Sequence, residues 1–125
     1  MKGSIKIFLL LLIATLIVLP KVLAEEGKIS AGEAWQKIKR GALLVDVRTP
    51  AEFQTAHADG AINVPHDQVE QKLDEFGNNK KREIVLYCRS GNRSGVAQEA
   101  LKKNGFQNVF NAGGLKDLEA GKPKS

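Results

Sequence analysis

A single cysteine, Cys88, stands at the start of a short polar segment that could do covalent chemistry. The segment separates a continuous apolar run at residues 84–87 from a helix-like pattern that begins near residue 93. The residues that follow the cysteine are basic, polar or glycine, namely Arg89, Ser90, Gly91, Asn92, Arg93 and Ser94. In open α/β sheets, ligands bind outside the carboxyl ends of the strands, so Cys88 occupies a position where a site is expected.

Three features of this segment favour an ionised sulfur on Cys88. A short loop with a glycine lets several backbone N–H groups converge on one point, and the helix start adds a positive dipole end. The charges of Arg89 and Arg93 act in the same direction. Because the thiolate is the nucleophilic form, we predict a covalent nucleophile whose cradle holds an oxyanion or a persulfide sulfur. The prediction requires a reachable sulfur, and its alternative is an inert strand-end cysteine beside a solvated loop.

The first 24 residues have the pattern of a cleavable secretory signal. Lys2 and Lys6 precede an uncharged apolar run at residues 7–19, and residues 22–24 are small or apolar, as a signal peptidase prefers. The run is shorter than the roughly 20 residues that a spanning helix needs. We therefore expect residues 1–24 to be a signal peptide and residues 25–125 to be one domain without a stable membrane span.

Charge and cysteine content narrow the possible functions. The formal net charge is +5, but the first 24 residues hold three lysines and no acid, so the remaining domain carries +2. This small excess does not indicate nucleic-acid binding. One cysteine excludes an internal disulfide, and a lone thiol in an exported protein calls for a functional explanation. His57 and His66 lack the companion ligands of a metal site, so no metal is expected.

Short apolar runs alternate with helical patterns after residue 25, which predicts an α/β domain with a largely parallel sheet. Strands are predicted at residues 43–47, 61–64, 84–87 and 109–110, with the third in a central position because its apolar run is uninterrupted.

Capping signals locate the helices. Capping boxes at Ser30 and Thr49 begin two of them, and a third is predicted to begin at Asp67. The inner face of the third carries Val69, Leu73 and Phe76. A fourth helix is predicted over residues 93–104, and its predicted inner face consists of Val96, Ala97, Ala100 and Leu101.

Three ordered segments resemble signatures of the rhodanese homology family. Residues 44–65 are similar to its amino-terminal signature, residues 85–94 to its six-residue active-site loop, and residues 111–118 to its carboxy-terminal signature. The resemblance covers nearly all of the chain after the predicted signal. It implies a three-layer fold in which a parallel sheet of about four or five strands has helices on both faces.

The resemblance also implies an activity, that of a thiosulfate sulfurtransferase. It implies that Cys88 accepts the outer sulfur of thiosulfate as a persulfide and passes it to cyanide or a thiol, without metal or organic cofactor. The backbone of residues 89–93 would cradle the persulfide, while Arg89 and Arg93 would attract thiosulfate and stabilise leaving sulfite. Ser94 would either donate a hydrogen bond to the sulfur or cap the helix. With the signal peptide, the resemblance implies a periplasmic location, and we expect a monomer.

Supporting roles are implied for three charged residues near the loop. Asp46, Arg48 and Glu52 are expected to form a structural ion network rather than to act as catalysts.

Other functions remain open from the residues alone. Cysteine-dependent phosphatases and arsenate reductases place arginine six positions after the cysteine, where this chain has Ser94, with Arg93 one step early. A noncatalytic binding module is a second alternative, although such domains have usually lost the cysteine. A persulfide carrier for a partner protein shares the proposed chemistry and stays open.

Overall fold

A parallel sheet organises the part of the chain that the computed structural model describes, residues 27–124. Within those residues the sheet has four strands in the order β2-β1-β3-β4. Their bounds are β1 (Leu43–Asp46), β2 (Ile62–Asn63), β3 (Glu83–Cys88) and β4 (Asn108–Gly114). Beside β4, a single parallel bridge joins Lys28 to Asn111. The predicted parallel sheet of four or five strands is therefore confirmed.

Strand β3 is buried on both faces because it lies between β1 and β4. Ile84, Leu86 and Cys88 point into one hydrophobic cluster, and Val85 and Tyr87 point into the other. All five side chains are fully buried. The uninterrupted apolar run that the sequence shows here is what a central parallel strand requires.

Helices cover both faces of the sheet, so the three-layer prediction is confirmed. The α-helices are α1 (Ala31–Lys39), α2 (Pro50–Thr55), α3 (Asn92–Lys103) and α4 (Leu115–Ala120). Helices α1 and α4 pack on the Tyr87 face, where Trp35 is buried and its indole N–H donates to the Leu118 carbonyl at 2.7 Å. Helix α3 packs on the Cys88 face through Ala97 and Leu101.

Both predicted capping boxes are present. The Ser30 hydroxyl accepts from the Glu33 N–H at 3.2 Å, and the Glu33 carboxylate accepts in return from the Ser30 N–H. Thr49 and Glu52 repeat this exchange at the start of α2. Each box satisfies backbone donors that the first helical turn leaves without partners, so these two starts are fixed by local sequence.

The helix predicted to begin at Asp67 is wrong in type and in cap. Two 3-10 helices occupy this segment, His66–Gln71 and Leu73–Phe76, and neither has a side-chain cap. Lys72 leaves the helical region with φ −126°, which prevents one continuous helix. Val69 and Phe76 are nevertheless buried in the Cys88-face cluster, because the apolar spacing is preserved through the break.

The predicted inner face of α3 is also wrong in one position. Val96 is 57% exposed, whereas the polar Gln98 is buried. The Gln98 amide donates to the Gly27 carbonyl at 2.9 Å and to the Val109 carbonyl at 3.0 Å. These long-range hydrogen bonds set the rotation of α3, and a hydrophobic pattern along the helix contains no sign of them.

Candidate active site

The sulfur of Cys88 lies at the carboxyl end of β3, beneath the loop that leads into α3. The loop turns at Gly91, whose φ of 97° lies in the left-handed region that glycine adopts without strain. Gly114 allows the close passage of the loop, because a Cβ there would lie 2.3 Å from the Arg89 carbonyl oxygen. Glycines from two segments therefore shape the turn around Cys88.

Hydrogen-bond donors surround the Cys88 sulfur. The Gly91 N–H donates to Sγ at 3.0 Å, and the Ser94 hydroxyl lies 3.4 Å from Sγ. Burial is the largest influence on the thiol and acts to raise its pKa, but the hydrogen bonds from Ser94, Ser90 and Gly91 together outweigh it. The pKa of Cys88 is therefore lower than that of an ordinary cysteine, which favours the thiolate.

Cys88 has no exposed surface in this conformation. A nucleophilic cysteine needs a sulfur that a substrate can reach, and the Cys88 sulfur lacks that access in this conformation. Arg89 and Ser90, which form the outer part of the loop, are exposed. A reagent could reach Cys88 only if the loop or the side chains beside it were displaced.

The two arginines predicted to act on the sulfur occupy different environments. Arg93 forms a two-pronged ion pair with Glu52, with Nη1–Oε1 at 2.7 Å and Nη2–Oε2 at 3.1 Å. Hydrogen bonds from Arg93, followed in effect by those from Thr49, lower the Glu52 pKa to about 2 although partial burial opposes the shift. Arg93 is thus engaged by a carboxylate, while Arg89 is exposed on the outer side of the loop.

A second ion pair lies at the end of β1. The Arg48 guanidinium contacts both carboxylate oxygens of Asp46 at 2.7–3.0 Å and donates to the Ala56 carbonyl at 2.5 Å. Asp46 is fully buried and Arg48 almost so. The three charged residues expected to form one ion network are therefore divided: Asp46 pairs with Arg48, whereas Glu52 pairs with Arg93.

Ser94 contacts the sulfur and does not cap α3. The residue before α3 is Gly91, and no side chain caps the helix. The Ser94 hydroxyl also lies 3.1 Å from the Gly91 carbonyl and 2.7 Å from Oδ1 of Asn111. Asn92 is exposed at the first position of the helix. Of the two alternatives for Ser94, the contact with the sulfur is the one present.

Two grooves flank the loop. One, of about 510 Å³, is lined by Arg48, Glu52, Thr55, Ala56, Arg89, Leu115 and Lys116. The other, of about 420 Å³, has Lys28, Ser90, Gly91, Asn92, Asn111 and Asp117 among its lining residues. The first groove contains three cationic side chains and one carboxylate, so it favours a small anion.

Sequence reasoning missed two residues of this region, Asn111 and Lys116. Both lie in the segment that resembles the carboxy-terminal signature, yet their type alone did not indicate a contact with the loop. The Asn111 amide reaches the loop because β4 runs beside the end of β3. Only the pairing of these two strands brings it there.

The histidines form no metal site with the other side chains that the structure describes. Within residues 27–124, no group of three or more His, Cys, Asp or Glu side chains is arranged to hold a metal ion. His57 stacks on Phe53 at 3.8 Å between ring centroids, and its Nδ1 lies 2.8 Å from the Phe53 carbonyl.

Within residues 27–124, no helix is long and apolar enough to cross a membrane.

The fold and the loop together define a class: a parallel α/β domain whose cysteine sits at the carboxyl end of the central strand among converging N–H donors. The chain belongs to the rhodanese family of sulfurtransferases, because residues 30–120 match the Rhodanese-like domain. It is 40% identical over 80 residues to the thiosulfate sulfurtransferase PspE of Escherichia coli K12, covering 64% of this chain and 77% of that protein.

A solved structure and a larger protein show the same relationship. The structure described as a rhodanese with anions from E. coli has a TM-score of 0.58 and 39% identity, covering 62% of this chain and 91% of that chain. A tRNA uridine(34) hydroxylase of Buchnera aphidicola is 37% identical over 75 residues. That match covers 57% of this chain but only 24% of the hydroxylase, so the similarity concerns one domain of a longer protein.

Proposed function

We propose that this protein is a thiosulfate sulfurtransferase that carries sulfur as a persulfide on Cys88. The observation that carries the proposal is the set of hydrogen bonds to Sγ, which lowers the pKa of a fully buried thiol. Membership of the rhodanese family and similarity to PspE support the same chemistry.

The reaction proceeds in two displacements at sulfur. The Cys88 thiolate attacks the outer sulfur of thiosulfate, an S–S bond forms, and the S–S bond of thiosulfate breaks as sulfite leaves with its electron pair. Cyanide or a thiolate then attacks the outer persulfide sulfur, and the product is thiocyanate or a new persulfide. The S–S bond to Cys88 breaks, and its electron pair regenerates the Cys88 thiolate. The two steps together need no external oxidant, reductant or metal.

Roles in this scheme follow from position. The N–H groups at Ser90 and Gly91 and the Ser94 hydroxyl stabilise negative charge on the sulfur, as such donors do for oxyanions. Arg89 and Lys116 line the larger groove and attract an anionic donor. Arg93 acts at the rim, where its pair with Glu52 fixes its direction.

The loop geometry disfavours a phosphatase. Such enzymes place an arginine six positions after the cysteine, and this chain has Ser94 there. The Ser94 hydroxyl lies 3.4 Å from the sulfur, so no guanidinium occupies that place. A turnover assay separates the possibilities: thiosulfate should release sulfite, and rapid phosphate release from an aryl phosphate without sulfite would overturn the proposal.

Mass spectrometry tests the intermediate directly. After exposure to thiosulfate, the protein should gain roughly 32 Da, one sulfur atom, on Cys88. A Cys88→Ser variant serves as the control, and the same gain on that variant would refute the assignment. If the persulfide forms but neither cyanide nor small thiols remove it, the protein is a carrier for a partner protein rather than a rhodanese enzyme.

Access to the sulfur is tested by the size of the reagent. Because Cys88 has no exposed surface, a small alkylating agent should react much faster than a bulky maleimide. Unfolding the protein should abolish that difference. If the folded protein does not react with even the smallest reagent and gains no sulfur from thiosulfate, Cys88 is an inert core residue and the proposal is wrong.

We also propose that the protein is exported to the periplasm. The predicted signal peptide lies outside the described residues, and the proposal rests on the sequence pattern of residues 1–24. Cell fractionation with mass determination of the amino terminus tests it. A mature protein beginning at Glu25 is expected, and a cytoplasmic protein that retains Met1–Ala24 would contradict it.

A further inference from the structure

The side-chain amide of Asn111 joins three segments around the loop, and the proposed reaction assigns it no role. Its Nδ2 donates to the Gly91 carbonyl at 2.9 Å. Its Oδ1 accepts from the Gly113 N–H at 2.9 Å and lies 2.7 Å from the Ser94 hydroxyl oxygen. Asn111 is 9% exposed, so these hydrogen bonds form largely out of contact with water.

Two of these partners are the groups that contact the Cys88 sulfur. The Gly91 N–H lies 3.0 Å from Sγ and the Ser94 hydroxyl lies 3.4 Å from it. Gly91 has a left-handed backbone, which no side chain of its own can fix. The Asn111 amide holds the Gly91 carbonyl, which restricts ψ of Gly91 and so helps to keep the turn whose preceding peptide directs the Gly91 N–H at Sγ.

The Ser94 hydroxyl has one hydrogen and three possible acceptors. The Gly91 carbonyl already accepts from the Gly95 N–H and from Asn111 Nδ2. The hydroxyl hydrogen is therefore left for the sulfur or for Asn111 Oδ1. When the sulfur is ionised, the hydrogen serves the sulfur, and Oδ1 keeps its bond from the Gly113 N–H.

We propose that Asn111 is a positioning residue for sulfur transfer, because its amide N–H holds the Gly91 carbonyl and so keeps the turn in which Gly91 donates to Cys88. The proposal rests on the proposed function of Cys88 and adds the element that keeps its donors in place. Asn111 does not touch the sulfur in any of its hydrogen bonds to the described residues, so its effect passes through Gly91.

Charged groups around the sulfur are a separate influence that Asn111 variants leave intact. They lie in the loop, on α3, on α2 and at the end of β1, and they are Arg89, Arg93, Glu52, Asp46 and Arg48. None of them hydrogen-bonds to the side chain of Ser94 or Asn111 within residues 27–124. A change in ionisation on altering Asn111 therefore reports the donors rather than these charges.

The test is a pH titration of the thiolate ultraviolet absorbance in Asn111→Ala. Because the chain has one cysteine, subtracting the Cys88→Ser spectrum removes the tyrosine background. We expect the midpoint to move to higher pH, so that the thiolate fraction below the midpoint falls about tenfold, as for one lost charge-assisted hydrogen bond. Sulfite release should fall in proportion.

Asn108→Ala is the matched control. Asn108 lies on the same strand, and its amide also donates to a backbone carbonyl, that of Lys81 at 2.6 Å, but at the opposite end of β4. Its variant should lose stability without moving the titration. An unchanged midpoint in Asn111→Ala, or an equal shift in Asn108→Ala, would overturn the proposal.

A nearly isosteric variant covers the case in which Asn111→Ala does not fold. Asn111→Leu fills nearly the same volume and adds no charge, and it removes the hydrogen bond to the Gly91 carbonyl, so its midpoint should also rise. A folded Asn111→Leu protein that titrates like the wild type would contradict the proposal. The titration needs no turnover, so a wild type that transfers no sulfur would defeat the proposed function while this measurement still decides the role of Asn111.

Discussion

Two neighbouring residues on β3 show how differently buried groups ionise on the two faces of the sheet. Tyr87 and Cys88 are both fully buried, one on each face. Burial raises the pKa of Tyr87 far above its usual value, although a hydrogen bond from the Ala58 N–H opposes the shift. Burial also acts to raise the pKa of Cys88, yet its net shift is downward.

Both side chains are fully buried, so the difference lies in the donors and charges that surround them. One backbone N–H reaches the Tyr87 hydroxyl, and its neighbour Asp46 adds a negative charge that further disfavours the phenolate. The Cys88 sulfur instead receives several donors from one turn of backbone and from Ser94. A low-dielectric interior therefore neutralises a group unless the fold supplies enough hydrogen-bond donors to the charged form.

The largest expected effect on activity comes from replacing the Cys88 sulfur, in comparison with removal of the Tyr87 hydroxyl on the other face. Cys88→Ser should abolish sulfite release from thiosulfate, because the hydroxyl is not ionised at neutral pH. Tyr87→Phe should keep the activity and lose about 1 kcal/mol of unfolding free energy, since the Ala58 N–H loses its acceptor. Activity assays with urea denaturation check both, and comparable activity losses would break the distinction between the faces.

Removing one hydrogen-bond donor should raise the pKa of Cys88, so that its net shift approaches the upward direction seen for Tyr87. Ser94→Ala is expected to raise the pKa of Cys88 and to lower its alkylation rate about tenfold at a pH below the midpoint. Ser94→Thr keeps the hydroxyl and is the matched control. An alanine variant whose rate profile overlays the wild type would show that the backbone donors suffice.

A smaller effect on activity is expected when Arg93, near the Cys88 loop, is replaced. Arg93→Ala should raise the thiosulfate KM several-fold with little change in thermal stability, because Arg93 is partly exposed and its loss removes a cation near the anion. Steady-state kinetics and melting curves measure the two quantities. Lys103→Ala, an exposed basic residue at the far end of α3, controls for net charge. An unchanged KM would remove Arg93 from the site.

The smallest effect concerns acid stability. The pKa of Glu52 is about 2 in the folded protein and near 4.5 for a free carboxyl, so its contribution is present above pH 4.5 and is lost as pH falls toward 2. Glu52→Gln should therefore flatten the fall in stability across that interval. Denaturant titrations at several pH values test this, with Glu99→Gln on the exposed face of α3 as the control.

Local signals in the sequence predicted the parts of the fold that depend on neighbouring residues. The capping boxes at Ser30 and Thr49 and the apolar run of β3 needed no tertiary information, and all three are present. The predictions for Val96 and for the segment after Pro65 are wrong: distant partners decide the rotation of α3, and the backbone at Lys72 interrupts the second segment. Gln98 turns α3 by bonding to Gly27 and β4, which no helical periodicity reveals.

The candidate site divides in the same way. The position of Cys88 follows from a strand ending before a glycine-containing turn, so the sequence alone predicts it. The pairing of Arg93 with Glu52 and the reach of Asn111 to Gly91 depend on segments about 20 or more residues apart in the chain. Such contacts appear only when α2, α3 and β4 meet at one edge of the sheet.

The absence of exposed surface on Cys88 has a consequence for cross-reactivity. An ionised thiol on an open surface would form mixed disulfides with any other protein that carries a reactive sulfur. A compact anion such as thiosulfate would need a smaller displacement of the residues around Cys88 than a folded macromolecule would. Such shielding would protect the proposed nucleophile from this pairing, in a chain that has no second cysteine.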